Sequence, residues 1–336
     1  MIRPVLLSSE PWDGVWRRNQ QLASRIPGTI FVEPPRPGLR GRRRVESGVV
    51  VLTPAKPIPH RWPGGRRLSA WLTASLVRRT AGGARVVAWT THAWHEPVAR
   101  ALRRPVVYDR TDDWPAMESN AGATESVRRL DAALIELADE VVIVSERMRT
   151  PELKSAALIP NGVDAFAFKR SRARSWAGHR FRIGFAGTLD PFRLDYGILD
   201  ALAADPTVEL VLAGPGQPPA DATWFGPLPH HRVPDLLRSC DALVAPYRTD
   251  VDANVSADAL KLYEYFATGL PVVATSTAGF DRYPDLVVAW PPSPSLVAAC
   301  KLQARNARRR MAIAAAADWS LRASAMERLL IRVGQG

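Results

Sequence analysis

Short apolar runs alternate with stretches of helical spacing along the whole chain. Val49–Leu52 and Val141–Val144 are apolar at every position, the mark of parallel strands covered on both faces. The pattern predicts a first series of strands at Val5–Ser8, Thr29–Val32, Val49–Leu52, Val86–Trp89, Val106–Asp109 and Val141–Val144. A second series follows at Arg182–Phe185, Glu209–Leu212, Ala242–Ala245, Val272–Ala274 and Val287–Ala289. Helix-length segments between strands imply right-handed βαβ units and an α/β fold of doubly wound sheets. Leu260–Ala267 reads as an amphipathic helix capped by Gly269, with Pro271 opening the next strand. Asp318–Arg332 spaces Trp319, Leu321, Met326, Leu329 and Leu330 as one packed helical face.

The two series are divided by the turn signal Ile159-Pro160-Asn161-Gly162-Val163-Asp164 and the polar stretch Lys169–His179. The boundary is placed between Asp164 and Arg180. The expected domains are 1–165 and 166–317, with a final helix over 318–336 that packs back toward the first. Two domains also suit 336 residues better than one.

Composition narrows the class. At 46% hydrophobic the chain is globular rather than disordered. Cys240 and Cys300 are too few and too far apart for a disulfide scaffold or a zinc knuckle, which fits a reducing cytoplasm. No apolar run approaches the ~18 residues of a membrane span. The start, through Val5-Leu6-Leu7, reads as a buried strand rather than a secretory signal. The net charge of +12 is uneven: between Arg36 and Arg104 fifteen basic residues face only Glu46 and Glu96. Such a face fits an anionic partner or a solvated arginine-rich surface.

Chemistry gathers in the second half. Phe185-Ala186-Gly187-Thr188-Leu189-Asp190 and Val211-Leu212-Ala213-Gly214-Pro215-Gly216 are glycine turns at strand ends, where backbone can approach a phosphate. Neither is a dinucleotide fingerprint, and no P-loop is present. Lys261 and Glu264 lie three apart on one helix. They suit a diphosphate and ribose hydroxyls; an ordinary surface ion pair is the plainer reading.

Together these blocks resemble the GT-B glycosyltransferases, particularly bacterial enzymes of the family-four (group 1) type and relatives in surface-polysaccharide synthesis. The resemblance runs in order through Ile159–Asp164, Ile183–Asp190, Val211–Gly216, Phe225–Leu237, Ser239–Pro246 and Lys261–Thr275. It is looser in the first half, at Trp12–Ala23 and Val107–Trp114. It implies two Rossmann-like domains facing a central cleft, donor mainly on the second and acceptor on the first. It also implies transfer of a sugar from a nucleoside-diphosphate sugar to an acceptor hydroxyl, with no cofactor and no metal. Carried over by position, Glu264 resembles the ribose-binding glutamate and Lys261 the diphosphate lysine. Gly187, Thr188 and Arg193 line the phosphate end, Pro227 and Leu228 face the base, and Tyr247 and Asn254 border the sugar. Many retaining relatives carry an acid eight positions before Glu264; here that position is Ser256, with Asp258 two residues on.

The first half offers acceptor-side groups. Asp109, Asp112 and Asp113 close a predicted strand, and a carboxylate there suits proton removal from an acceptor hydroxyl. Asp112 is the leading candidate base and Asp113 the second; N-capping of the next helix is the competing role. His92 and His95 follow another strand end, as base or acceptor contact. Asp13, Gly14, Trp16 and Arg17 occupy the first strand-to-helix loop and are expected to meet the acceptor. The segment Arg66–Arg79 places Leu68, Trp71, Leu72, Ser75 and Leu76 on one face between arginines. Core packing and peripheral contact with the inner face of the cell membrane both fit it.

The competing functions are a sugar-nucleotide epimerase or hydrolase on the same fold and a basic nucleic-acid-binding protein. The arginines lack aromatic interleaving and no zinc-finger or RNA-recognition signature is present. The base (uracil, guanine or thymine), the sugar and the acceptor (glycan, lipid-linked sugar or natural product) are open at this level.

Overall fold

The computed structural model describes residues 2–118, 120–169 and 180–336. The chain forms two compact units, Met1–Pro160 with Ser320–Gly336, and Asn161–Trp319. The division falls at Pro160–Asn161, inside the predicted turn; residues 170–179 of the polar stretch lie outside the described residues.

The first unit is built on an eight-stranded sheet. Its spatial order is 157–158, 140–143, 106–110, 85–90, 2–7, 30–32, 49–53 and 42–46. All pairs are parallel except the last. Val5, Ile30, Leu52, Ala88 and Tyr108 are buried along it, as continuous apolar runs require. The strand Arg42–Glu46 was not expected from its three arginines. It pairs antiparallel with Val49–Thr53 through a two-residue turn, Ser47 at φ 48° and Gly48 at φ 82°. Two left-handed residues are what a tight hairpin needs to match strand twist.

Helix Gly65–Ala81 buries Ser69, Ala70, Thr73, Ala74, Val77 and Ala81, all small or medium residues. Of its large apolar residues, Leu68 is 36% and Trp71 58% exposed, while Leu76 is partly buried against the core. Core packing therefore uses mainly the small face, with Leu76 at its edge. The C-terminal helix Trp319–Gln335 buries Trp319, Met326, Leu329 and Leu330, but Leu321 is exposed, so it lies off the packed face.

The second unit holds six parallel strands in the order 223–224, 208–213, 181–186, 242–245, 272–274 and 288–289. The chain winds outward from 181–186 in one direction, then returns to build 242–245 on its other side. That reversal is the switch point at which ligands bind such sheets, beyond the carboxyl ends of the strands. Helix Leu260–Thr268 buries Leu262, Tyr263, Tyr265 and Phe266, and Gly269 ends it at φ 73°. Its other face carries Lys261 and Glu264, both half-buried.

Candidate active site

In the second unit the predicted donor residues converge at the switch point. Strand 181–186 ends at Gly187, whose amide bonds Ala213 O at 2.8 Å. A Cβ built on Gly187 would lie 2.3 Å from Lys261 Nζ, so ammonium and glycine backbone are in contact. A Cβ on Gly214 would lie 1.9 Å from Gly187 O. Both turns must therefore be glycine for the strand ends to meet. Gly214→Ala is expected to cost about 1–3 kcal/mol by overpacking, read as a lowered Tm.

Lys261 Nζ stands 5.0 Å over the Phe185 ring, and among the described residues no ion pair joins it to Glu264. The surface-pair reading of these two residues therefore does not describe the fold. Burial pushes the Glu264 carboxyl up, against the opposing pull of Lys261. No described side chain hydrogen-bonds that carboxylate. A raised folded pKa means the native state takes up a proton more readily than the unfolded chain, so the ionised form costs stability. Glu264→Gln is expected to raise the ligand-free Tm at neutral pH. The gap should close as pH falls through the carboxylate range, measured by thermal denaturation across pH.

Around this pair lie the other predicted residues. Arg193 Nε donates to Asn254 Oδ1 at 2.8 Å, and Asn254 Nδ2 returns a bond to Arg193 O at 2.8 Å. The Arg193 guanidinium stands 5.8 Å over Tyr247. Thr188 is exposed at the strand end. Pro227 is exposed and Leu228 half-buried in a loop tied to the glycine turn by Gly214 N–H to Gly226 O, 2.8 Å. Ser256 donates to Asp252 O, inside its own helical turn. Asp258 is fully enclosed: it accepts from the Asn161 amide at 2.7 Å, from Tyr263 Oη and from Arg282. It fastens the Asn161–Gly162 turn within the second unit and offers no oxygen to a sugar. Neither position restores the missing acid.

In the first unit the candidates share the carboxyl ends of three neighbouring strands, 106–110, 85–90 and 2–7. Asp109 is buried; its two oxygens each take a 2.9 Å bond from Arg18, and Trp89 Nε1 adds a third at 3.2 Å. It is a rivet between strand and helix, not a base. Asp113 pairs with Arg110 at 3.0 Å, and Arg110 is held in turn by Asp131 at 2.9 Å. Asp112 is half-buried and accepts from Thr111 Oγ1 at 3.3 Å.

His92 caps the turn Ala93–His95: its Nδ1 accepts the Trp94 amide at 3.1 Å. Its ring lies 3.9 Å from that of Trp114. Burial lowers His92 to about 4, so at neutral pH it is uncharged with its proton on Nε2. That tautomer donates a hydrogen bond rather than taking a proton. His95 is pushed down to about 3 by burial and by His92, and its Nδ1 sits 3.3 Å from Thr90 Oγ1. Asp13 is bound by Arg44 at 2.9 Å at the surface, and Gly14 turns back to bond Pro11 O. Trp16 packs edge-on against Trp12 at 5.5 Å.

Arg17 pairs at 2.8 Å with Glu10, a residue the sequence reading missed. Burial raises the Glu10 carboxyl, Arg17 opposes this, and the nearby Asp112 charge raises it further. Glu10 thus belongs to the Asp112 neighbourhood, and the signal was an acid just past a strand end. Trp114 was also missed; its Nε1 is buried without a described partner.

Residues 180–300, most of the second unit, match the family described as glycosyl transferases group 1. The chain is 26% identical over 237 residues to the putative teichuronic acid biosynthesis glycosyltransferase TuaH of Bacillus subtilis (strain 168). That match covers 61% of this chain and 59% of TuaH, less than two thirds of the relative's length. Among solved structures, HepE of Anabaena, in complex with UDP and glucose, superposes with a TM-score of 0.71 at 17% identity. The superposition covers 98% of this chain and 99% of that one. A UDP-forming α,α-trehalose-phosphate synthase from Burkholderia vietnamiensis superposes at 0.65 and 12% identity, over 98% and 100%. The chain therefore has the GT-B glycosyltransferase fold.

Proposed function

We propose that this protein transfers a sugar from a uridine-diphosphate sugar to an acceptor hydroxyl. The observation that carries the reading is the Lys261 ammonium against the Gly187 backbone, beside a Glu264 carboxylate that no described side chain engages. A cation at a glycine turn fits a diphosphate, and an unengaged carboxylate fits a pair of ribose hydroxyls. The uridine base is supported by the complexes of HepE with UDP and by the UDP-forming synthase, both of this fold.

In the reaction the acceptor oxygen bonds the anomeric carbon as the bond from that carbon to the diphosphate breaks. The electron pair leaves with the diphosphate, where Lys261 meets the growing charge. The acceptor proton passes to a carboxylate, for which Asp112 is the candidate. His92 Nε2–H and the Glu10–Arg17 pair stand at the neighbouring strand ends as polar contacts for an acceptor.

The test is a thermal-shift panel with UDP, GDP, dTDP and ADP and their sugars, with and without magnesium. Selective stabilisation by UDP and its sugars is expected. No shift with any nucleotide in a folded protein would overturn the donor site; a shift selective for GDP or dTDP would overturn the uridine assignment.

A further inference from the structure

The geometry points to a docking surface for an anionic lipid bilayer on the outward face of helix 65–81. Leu68, Trp71 and Leu72 lie on the side of that helix opposite its buried face, with Trp71 58% exposed. Trp62, in the turn leading into the helix, is 56% exposed. The backbone at Gly41 packs against Leu76 of the helix, and Leu39, two residues before Gly41, is 85% exposed. Trp62, Leu68 and Trp71 thus expose large apolar side chains that core packing does not use.

The surrounding charge selects the partner. Arg61, Arg66, Arg67, Arg78 and Arg79 are exposed, and among the described residues none forms an ion pair. The two acids between Arg36 and Arg104 are engaged elsewhere, Glu96 with Arg100 and Glu46 with Arg44. Arginines alone would suit any polyanion. Indoles and leucines among them suit a bilayer, whose interface takes aromatic rings at the headgroup level and apolar chains below. Anionic headgroups supply the countercharge. No helix among the described residues is long and apolar enough to cross a membrane, so the contact is peripheral. The inference does not depend on the donor reading, since helix 65–81 and Lys261 belong to different units.

Flotation of the full chain with vesicles of phosphatidylcholine, with and without phosphatidylglycerol, tests it. Binding is expected only with phosphatidylglycerol, weakening as salt rises, with a blue shift of tryptophan emission. Trp62→Ser with Trp71→Ser, and separately Arg78→Glu with Arg79→Glu, should each weaken binding about tenfold or more. Circular dichroism and the nucleotide thermal shift should stay unchanged in both. Failure to float at low salt would overturn the proposal. So would equal binding to neutral vesicles, or anionic binding that the tryptophan pair leaves intact. Duplex DNA bound as tightly, and with no effect of the tryptophan substitutions, would assign the arginines to nucleic acid instead.

Discussion

Asp112→Asn is expected to reduce sugar transfer by roughly a hundredfold or more while nucleotide affinity stays at the wild-type level. The reason is local. Of the three carboxylates that close strand 106–110, Asp109 is consumed by Arg18 and Trp89, and Asp113 by Arg110. Asp112 lies near Glu10, at the carboxyl end of the sheet. The amide keeps its size and its bond from Thr111 but cannot take a proton. The measurement is initial-rate UDP release with acceptor, alongside nucleotide binding by calorimetry. Wild-type turnover in the variant would remove Asp112 as the base; it does not cap the next helices, whose N-cap positions are Trp114 and Asn120. Asp113→Asn is the comparison: it breaks the link to Arg110, and its effect should appear in Tm before it appears in rate.

Glu264→Ala should weaken nucleoside-diphosphate binding by about 1.5–3 kcal/mol, roughly ten- to hundredfold in Kd, through loss of charge-assisted hydrogen bonds. This carboxylate is held half-buried at a cost, and nothing in the described fold uses it. Removing it relieves the ligand-free protein and harms only the complex. Calorimetry with UDP reads the loss, and a companion Tm that does not fall separates it from misfolding. An unchanged Kd would remove Glu264 from the donor site. It would leave the helix 260–268 as a packing element whose Lys261 alone meets the ligand.

The strands that hold these groups were legible because strands buried on both faces are written as unbroken apolar runs. Every predicted strand from Val5–Ser8 to Val287–Ala289 has its counterpart, with ends that differ by at most three residues. The strand at 42–46 was hidden because an edge strand needs little apolar content; its signal lay in Ser47-Gly48. Lys261 and Glu264 were legible from spacing on a helix whose remaining positions are apolar. The role of Asp258 was not, because its partners Asn161 and Arg282 are distant in sequence and only the folded chain brings them together. Glu10 was missed for the same reason, since Asp112 lies two strands away. Helix 65–81 was found, but its inner and outer faces were not assigned. Apolarity alone does not say which side a helix buries when small residues pack the sheet.

The antiparallel strand Arg42–Glu46 ends its sheet, so one row of its backbone N–H and C=O groups has no strand beside it. A bare edge of that kind is a template for pairing with another chain and so for aggregation. Arg42 and Arg43 are exposed along it, and Arg44 sits among Asp13, Glu33 and Glu46. Two copies approaching edge to edge would bring like charges together at strand spacing. Part of the protein's net positive charge thus acts against self-association, keeping the open end of the sheet from recruiting its own kind.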